Sequence, residues 1–123
     1  MPSTIRVLIA DDHRLFAEAL EAILASEPDI EVVGRARNGE EAVEQALALK
    51  PDVILMDIAM PGVDGVEATK RIRRKERDAC VLMLTGSNSR TDVARSREAG
   101  AAAYVTKDRI AAQLIEAIRE LAV

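Results

Sequence analysis

Short apolar runs alternate with longer amphipathic segments along the whole chain, and this alternation leaves few folds open. The runs cover residues 5–10, 30–34, 53–56, 81–84 and 102–105. The first four are rich in Val, Ile and Leu and too short for helices, as strands buried on both faces are. The fifth is mostly alanine and carries a weaker strand signal. Between the runs the apolar residues recur at helical spacing. A helix over 13–26 lines up Leu15, Phe16, Ala19, Leu20, Ile23 and Leu24, and one over 40–49 offers Val43, Ala46 and Leu47. Helices over 66–77 (Val66, Thr69, Ile72, with a basic outer face) and 109–121 (Ile110, Leu114, Ile118, Leu121) follow the same rule. The segment 91–99 has only Val93, Ala94 and Ala99 as anchors, so a helix there is weakly tied to the core. Asn38 and Asp64, each followed three residues on by Glu, resemble capping boxes. Asp108 reads as an N-cap and Gly100 as a helix stop. Five strands alternating with five helices imply an open, mainly parallel α/β sheet covered on both sides.

Composition narrows the function. A chain of 123 residues suits one domain, and 49% hydrophobic residues can supply its core. Seventeen basic against 21 acidic residues, a net charge of −4, argues against a nucleic-acid module. Aromatics make up 2%, too few for a base-stacking platform. The single cysteine, Cys80, excludes an intramolecular disulfide and a multi-cysteine metal site. No run approaches the ~18 apolar residues of a membrane span, and residues 1–4 lack a basic region leading into an apolar stretch. The expectation is a soluble, cytoplasmic chain with no membrane or direct nucleic-acid contact.

In a parallel doubly wound sheet the functional loops lie at the carboxyl ends of the strands. The first run ends in Asp11-Asp12, the third in Asp57, the fourth in Thr85 and the fifth at Lys107. Each has an ordinary structural explanation when taken alone, as a cap, a strand end or a solvated charge. Together they do not, because three converging carboxylates repel one another and one lysine offsets only part of that charge. Carboxylate oxygens suit Mg²⁺. Beside such an ion, Lys107 and Thr85 would stabilise charge on phosphoryl oxygens, and Asp57 would attack phosphorus.

Four motifs carry a family resemblance that covers residues 5–121: Ile-Ala-Asp-Asp at 9–12, Met-Asp-Ile-Ala-Met-Pro-Gly-Val-Asp-Gly at 56–65, Thr85-Gly86, and Tyr-Val-Thr-Lys at 104–107. With them the chain resembles a CheY-like receiver domain of a two-component response regulator. The resemblance implies a flavodoxin-like (βα)5 fold, three layers with strand order 2-1-3-4-5. It implies that Asp57 accepts the phosphoryl group and that Asp12 binds Mg²⁺ directly. Asp11 would bind through water, and the Ala59 backbone carbonyl would add a further ligand. Thr85 and Lys107 would contact the phosphoryl group, with Thr85 and Tyr104 as the switch pair. A sensor histidine kinase is the implied donor, and the surface of the fourth helix, fifth strand and fifth helix the implied output face, with homodimerisation on phosphorylation a candidate response. Asp-Asp-His at 11–13, Gly34, Asn38-Gly39 and Lys107-Asp108 are most similar to the LuxR/NarL-type subfamily, whose members carry a C-terminal helix-turn-helix domain. One receiver then fills residues 1–123, and an output domain or separate partner that controls transcription lies elsewhere.

The sequence departs from the family pattern in ways that matter. Asp108 stands where many receivers have proline, so a trans 107–108 peptide is expected. Ala59 and Ser87 occupy the positions that tune dephosphorylation. An aspartate-nucleophile phosphatase is the enzyme alternative, but Ala59 stands where its second Asp would be and there is no cap domain. A pseudo-receiver used only for protein contacts is the third reading, disfavoured because all five site positions are competent. His13 is not read as a ligand, since Mg²⁺ prefers oxygen. Cys80 reads as a small buried hydrophobe and Phe16 as core. Residues 70–75 read as a solvated basic face, Asp64 and Asp108 as caps, and Met60-Pro61 as shaping the turn after Asp57.

Overall fold

A computed structural model describes residues 4–86 and 90–122. Ser87 lies outside them. The apolar runs form strands β1 (Ile5–Ala10), β2 (Ile30–Ala36), β3 (Val53–Asp57), β4 (Val81–Thr85) and β5 (Ala103–Thr106). The intervening helices are α1 (Arg14–Ala25), α2 (Gly39–Leu49), α3 (Gly65–Lys75), α4 (Arg90–Ala99) and α5 (Ile110–Leu121), with a 3-10 turn at Lys107–Arg109. The sheet order is β2-β1-β3-β4-β5 and every neighbouring pair is parallel. This is the expected flavodoxin-like, doubly wound architecture.

Strand side chains alternate between two cores, as a period of two requires. Leu8, Ile54, Met56 and Met83 join Ala42, Ala46, Val66 and Ile72 on one face. Val7, Ile9, Leu55, Leu82 and Leu84 join Leu20, Leu24, Leu114 and Ile118 on the other. Hence β3 and β4 are buried along their whole length, and the chemistry is confined to where the strands end.

Several helical faces differ from expectation. Leu15 is 80% exposed and Ala19 is exposed, while Ala17 is buried with Leu20 and Leu24. Extended backbone at His13 starts the helix at Arg14 and turns positions 17, 20 and 24 inward. On α2 the small Ala42 and Ala46 face the core and Val43 and Leu47 are half-buried. The weak anchoring of α4 is present, but by different residues. Ser96 and Ala99 are buried, Val93 is half-buried and Ala94 is exposed. The Ser96 hydroxyl donates to the Asp92 carbonyl at 2.8 Å, which makes its burial tolerable.

The caps behave largely as read. Asn38 Oδ1 accepts from Glu41 N–H at 2.9 Å and Asp64 Oδ1 from Glu67 N–H at 2.8 Å. Gly100 ends α4 with φ +100°, a conformation that favours glycine. Asp108 is not a cap: it lies inside the 3-10 turn, and the Arg109 position before α5 makes no side-chain cap bond. The tighter turn takes up the residues that an N-cap at 108 would need. No described peptide bond is cis, so 107–108 is trans. Cys80 is half-buried rather than enclosed, and desolvation pushes its thiol up. No described helix is long and apolar enough to cross a membrane.

Candidate functional site

β1, β3 and β4 are central strands, so their carboxyl ends emerge side by side. Asp57 is the last residue of β3, paired with Leu84, and Thr85 follows Leu84 on the adjacent strand. Thr85 in turn pairs with Thr106, which precedes Lys107. Asp11 leaves β1, its N–H bonded to the Ala36 carbonyl at 3.0 Å. Asp11, Asp57 and Thr85 are each no more than 3% exposed.

The charges converge as expected. Lys107 Nζ lies 3.5 Å from Asp11 Oδ2 and 3.5 Å from Asp57 Oδ1, bridging the two buried carboxylates. Asp57 Oδ1 accepts the Ala59 N–H at 3.3 Å, and Asp11 Oδ1 accepts the His13 N–H at 2.8 Å. Asp11 Oδ2 and Asp57 Oδ2 are buried and accept no hydrogen bond. Burial, and then the charge of Asp11, push the Asp57 carboxyl up to about 6, with Lys107 and the Ala59 N–H acting against them. Buried carboxylate oxygens left without donors are costly. Asp12 faces solvent beside them and adds a third carboxylate.

This donor set fits Mg²⁺: hard oxygens, excess negative charge and two buried oxygens that accept no hydrogen bond. The cluster of Asp11, Asp12 and Asp57 is of the kind that binds that ion.

Tyr104 lies two residues along β5 from Thr106, 43% exposed, and with Thr106, Asp108 and Gln113 lines a cavity of about 550 Å³. Three residues gain significance that the sequence did not suggest. The His13 imidazole stands at the rim, Nδ1 3.3 Å from both Asp11 Oδ1 and Asp12 Oδ1. The Phe16 ring, half-buried rather than simply core, carries the Lys107 ammonium 4.4 Å from its centroid. Gly65 packs against the strand end itself: a Cβ there would come within 2.2 Å of the Asp57 carbonyl oxygen. The approach of His13 to Asp57 and of Phe16 to Lys107 joins distant parts of the chain and leaves no local signal, whereas Asp11 and Asp12 stand next to His13 in the sequence. Gly65 could have been found, as a glycine directly after the Asp64 cap.

Fold and site define a doubly wound domain built around an acidic, lysine-bridged edge. The chain belongs to the response regulator receiver domain family, which matches residues 7–119. It is 47% identical over 115 residues to the transcriptional regulatory protein LiaR of Bacillus subtilis, covering 94% of this chain and 54% of that protein. The receiver domain of the putative response regulator NarL from Mycobacterium tuberculosis superposes with a TM-score of 0.93 at 33% identity, covering 98% of both chains. The CheX–CheY–BeF3–Mg²⁺ complex from Borrelia burgdorferi gives a TM-score of 0.90 at 26% identity, covering 98% of this chain and 91% of that one. The chain spans about half the length of the curated relatives it matches.

Proposed function

We propose that this domain is a phosphorylation-driven switch in which a sensor histidine kinase or a small phosphodonor transfers a phosphoryl group to Asp57. The observation that carries this reading is the buried Asp57 carboxylate, with Oδ2 accepting no hydrogen bond and Oδ1 3.5 Å from the Lys107 ammonium. An Asp57 oxygen forms the new P–O bond. The donor's bond to phosphorus breaks, and its electron pair leaves with the donor. Lys107 neutralises charge that develops on the phosphoryl oxygens, and the Ala59 N–H orients the carboxylate. Asp12 as direct ligand, Asp11 through water, Asp57 and the Ala59 carbonyl would hold Mg²⁺. Bound there, Mg²⁺ supplies electrostatic stabilisation of the transferring group. That a related protein was captured with BeF3 and Mg²⁺ supports the assignment by analogy.

Thr85 then closes on the phosphoryl group and Tyr104 turns inward from its exposed position. The lightly anchored α4 repacks with β5 and α5. The altered face dimerises or engages an output domain that controls transcription, as the name of LiaR suggests for that relative. In this scheme the domain is a cytoplasmic signalling element and not a turnover enzyme. The test is incubation with Mg²⁺ and acetyl phosphate. One acid-stable, base-labile phosphoryl group per chain is expected, with none on Asp57→Asn. Equal labelling of that variant overturns the proposal, and multiple turnovers of a phosphomonoester would favour the phosphatase alternative.

A further inference from the structure

His13 faces the site but has no task in the scheme above. Its Nδ1 lies 3.3 Å from Asp11 Oδ1, 3.3 Å from Asp12 Oδ1 and 3.9 Å from Asp57 Oδ2. One ligand atom from each of these four residues falls within 4.8 Å of all the others. Donors opposed across a small divalent ion, at about 2.1 Å each, lie roughly 4.2 Å apart, so side chains spread over up to 4.8 Å must draw in by about half an ångström to close on one ion. Independently, Asp57 Oδ2 belongs to a side chain only 2% exposed, accepts no hydrogen bond and faces the imidazole. The rim position makes adjustment easy. The His13 side chain is 64% exposed and makes no capping bond to α1, so its ring can turn without disturbing the core.

Three carboxylate oxygens and one imidazole nitrogen are a different donor set from an all-oxygen Mg²⁺ site. Imidazole adds little for Mg²⁺, which holds its waters. For Co²⁺, Ni²⁺ and Zn²⁺ it is a favoured ligand. We propose that His13 converts this acidic site into a mixed nitrogen–oxygen centre that takes borderline divalent ions, Zn²⁺ among them, in preference to Mg²⁺. Asp11, Asp12 and Asp57 supply the oxygens. The inference rests on the divalent-cation part of the preceding proposal and not on phosphoryl transfer. It means that the occupant of the site follows which metal is available as well as the presence of Mg²⁺.

The test is calorimetric titration of the tag-free chain with Zn²⁺ and, separately, Mg²⁺, in wild type, His13→Ala and Asp12→Ala. The ring signals of His13, the only histidine, are followed by NMR in parallel. One Zn²⁺ per chain is expected, bound more tightly than Mg²⁺ and shifting the ring signals stoichiometrically. His13→Ala should lower Zn²⁺ affinity by at least about tenfold, since loss of even an outer-shell partner typically costs that much, and leave Mg²⁺ binding essentially unchanged. Asp12→Ala should weaken both ions. Unchanged Zn²⁺ affinity in His13→Ala, or ring signals that ignore Zn²⁺, overturns the role of His13 while Mg²⁺ binding stands. If wild type binds Zn²⁺ through His13 but no Mg²⁺, the Mg²⁺ assignment fails and this one holds.

Discussion

The Lys107 ammonium sits 4.4 Å from the centroid of the Phe16 ring while also reaching Asp11 and Asp57 at 3.5 Å. The lysine is thus held between two carboxylates and an aromatic face, so α1 helps to aim a group that follows β5. A cation over an aromatic face is worth roughly 0.5–2 kcal/mol, more when desolvated. Phe16→Leu keeps apolar bulk and removes the ring. It should slow phosphoryl uptake from acetyl phosphate by roughly two- to tenfold. Phe16→Tyr should restore most of the rate, a rescue that a purely space-filling role would not single out.

Asp57 links stability to pH. Its folded carboxyl stands at about 6 against 3.8 for an ordinary aspartate, so without divalent cations the native state binds this proton more tightly than the unfolded chain does. The resulting stability is fully present below about pH 4 and is lost as pH rises through about 6. At neutral pH the buried charge costs roughly 2–3 kcal/mol. Urea unfolding in EDTA should therefore show wild type gaining stability from pH 7 towards pH 5. Asp57→Asn should be more stable at pH 7 and lack that slope. Asp29 and Glu41, whose carboxyls Arg119 and the Arg37 N–H hold low, contribute in the opposite sense. Their stability is present above the ordinary carboxylate range and fades only as pH falls below it.

Divalent ions should relieve the same repulsion. An ion that binds only the folded cluster stabilises it by about 2.7 kcal/mol at a hundred times its Kd. Mg²⁺ should raise the Tm of wild type, measured by calorimetry. Asp12→Ala should abolish most of that rise. A wild-type Tm indifferent to millimolar Mg²⁺ would falsify the metal assignment.

Gly65→Ala tests the strand-end packing. The added methyl would lie 2.2 Å from the Asp57 carbonyl oxygen and 2.8 Å from the Ile58 Cα, both backbone atoms with little freedom to retreat. Overpacking of this kind typically costs about 1–3 kcal/mol. The expected outcome is a lower urea midpoint and weaker Mg²⁺ binding, since relief requires the segment after Asp57 to move. Gly86→Ala, where the same methyl meets nothing within 4 Å, serves as the comparison.

The sheet was legible in the sequence, because strands buried on both faces are near-continuous apolar runs, and residues 7–10, 53–56 and 81–84 are apolar throughout and too short for helices. The sequence also pointed to the carboxylates and lysine that meet, Asp11, Asp57 and Lys107, and to Thr85 at the neighbouring strand end, since a parallel sheet places all its strand ends on one edge. Resemblance to receivers supplied the strand order. Tertiary structure decided what depends on rotation about a helix axis and on contacts between distant segments. It turned Leu15 outward and Ala17 inward on α1, placed Ser96 rather than Ala94 beneath α4, and drew Asp108 into a 3-10 turn. It alone brought Phe16 under Lys107 and His13 among three carboxylates. Periodicity records which residues are apolar. Helix phase and the approach of side chains distant in sequence are set by packing the whole chain at once.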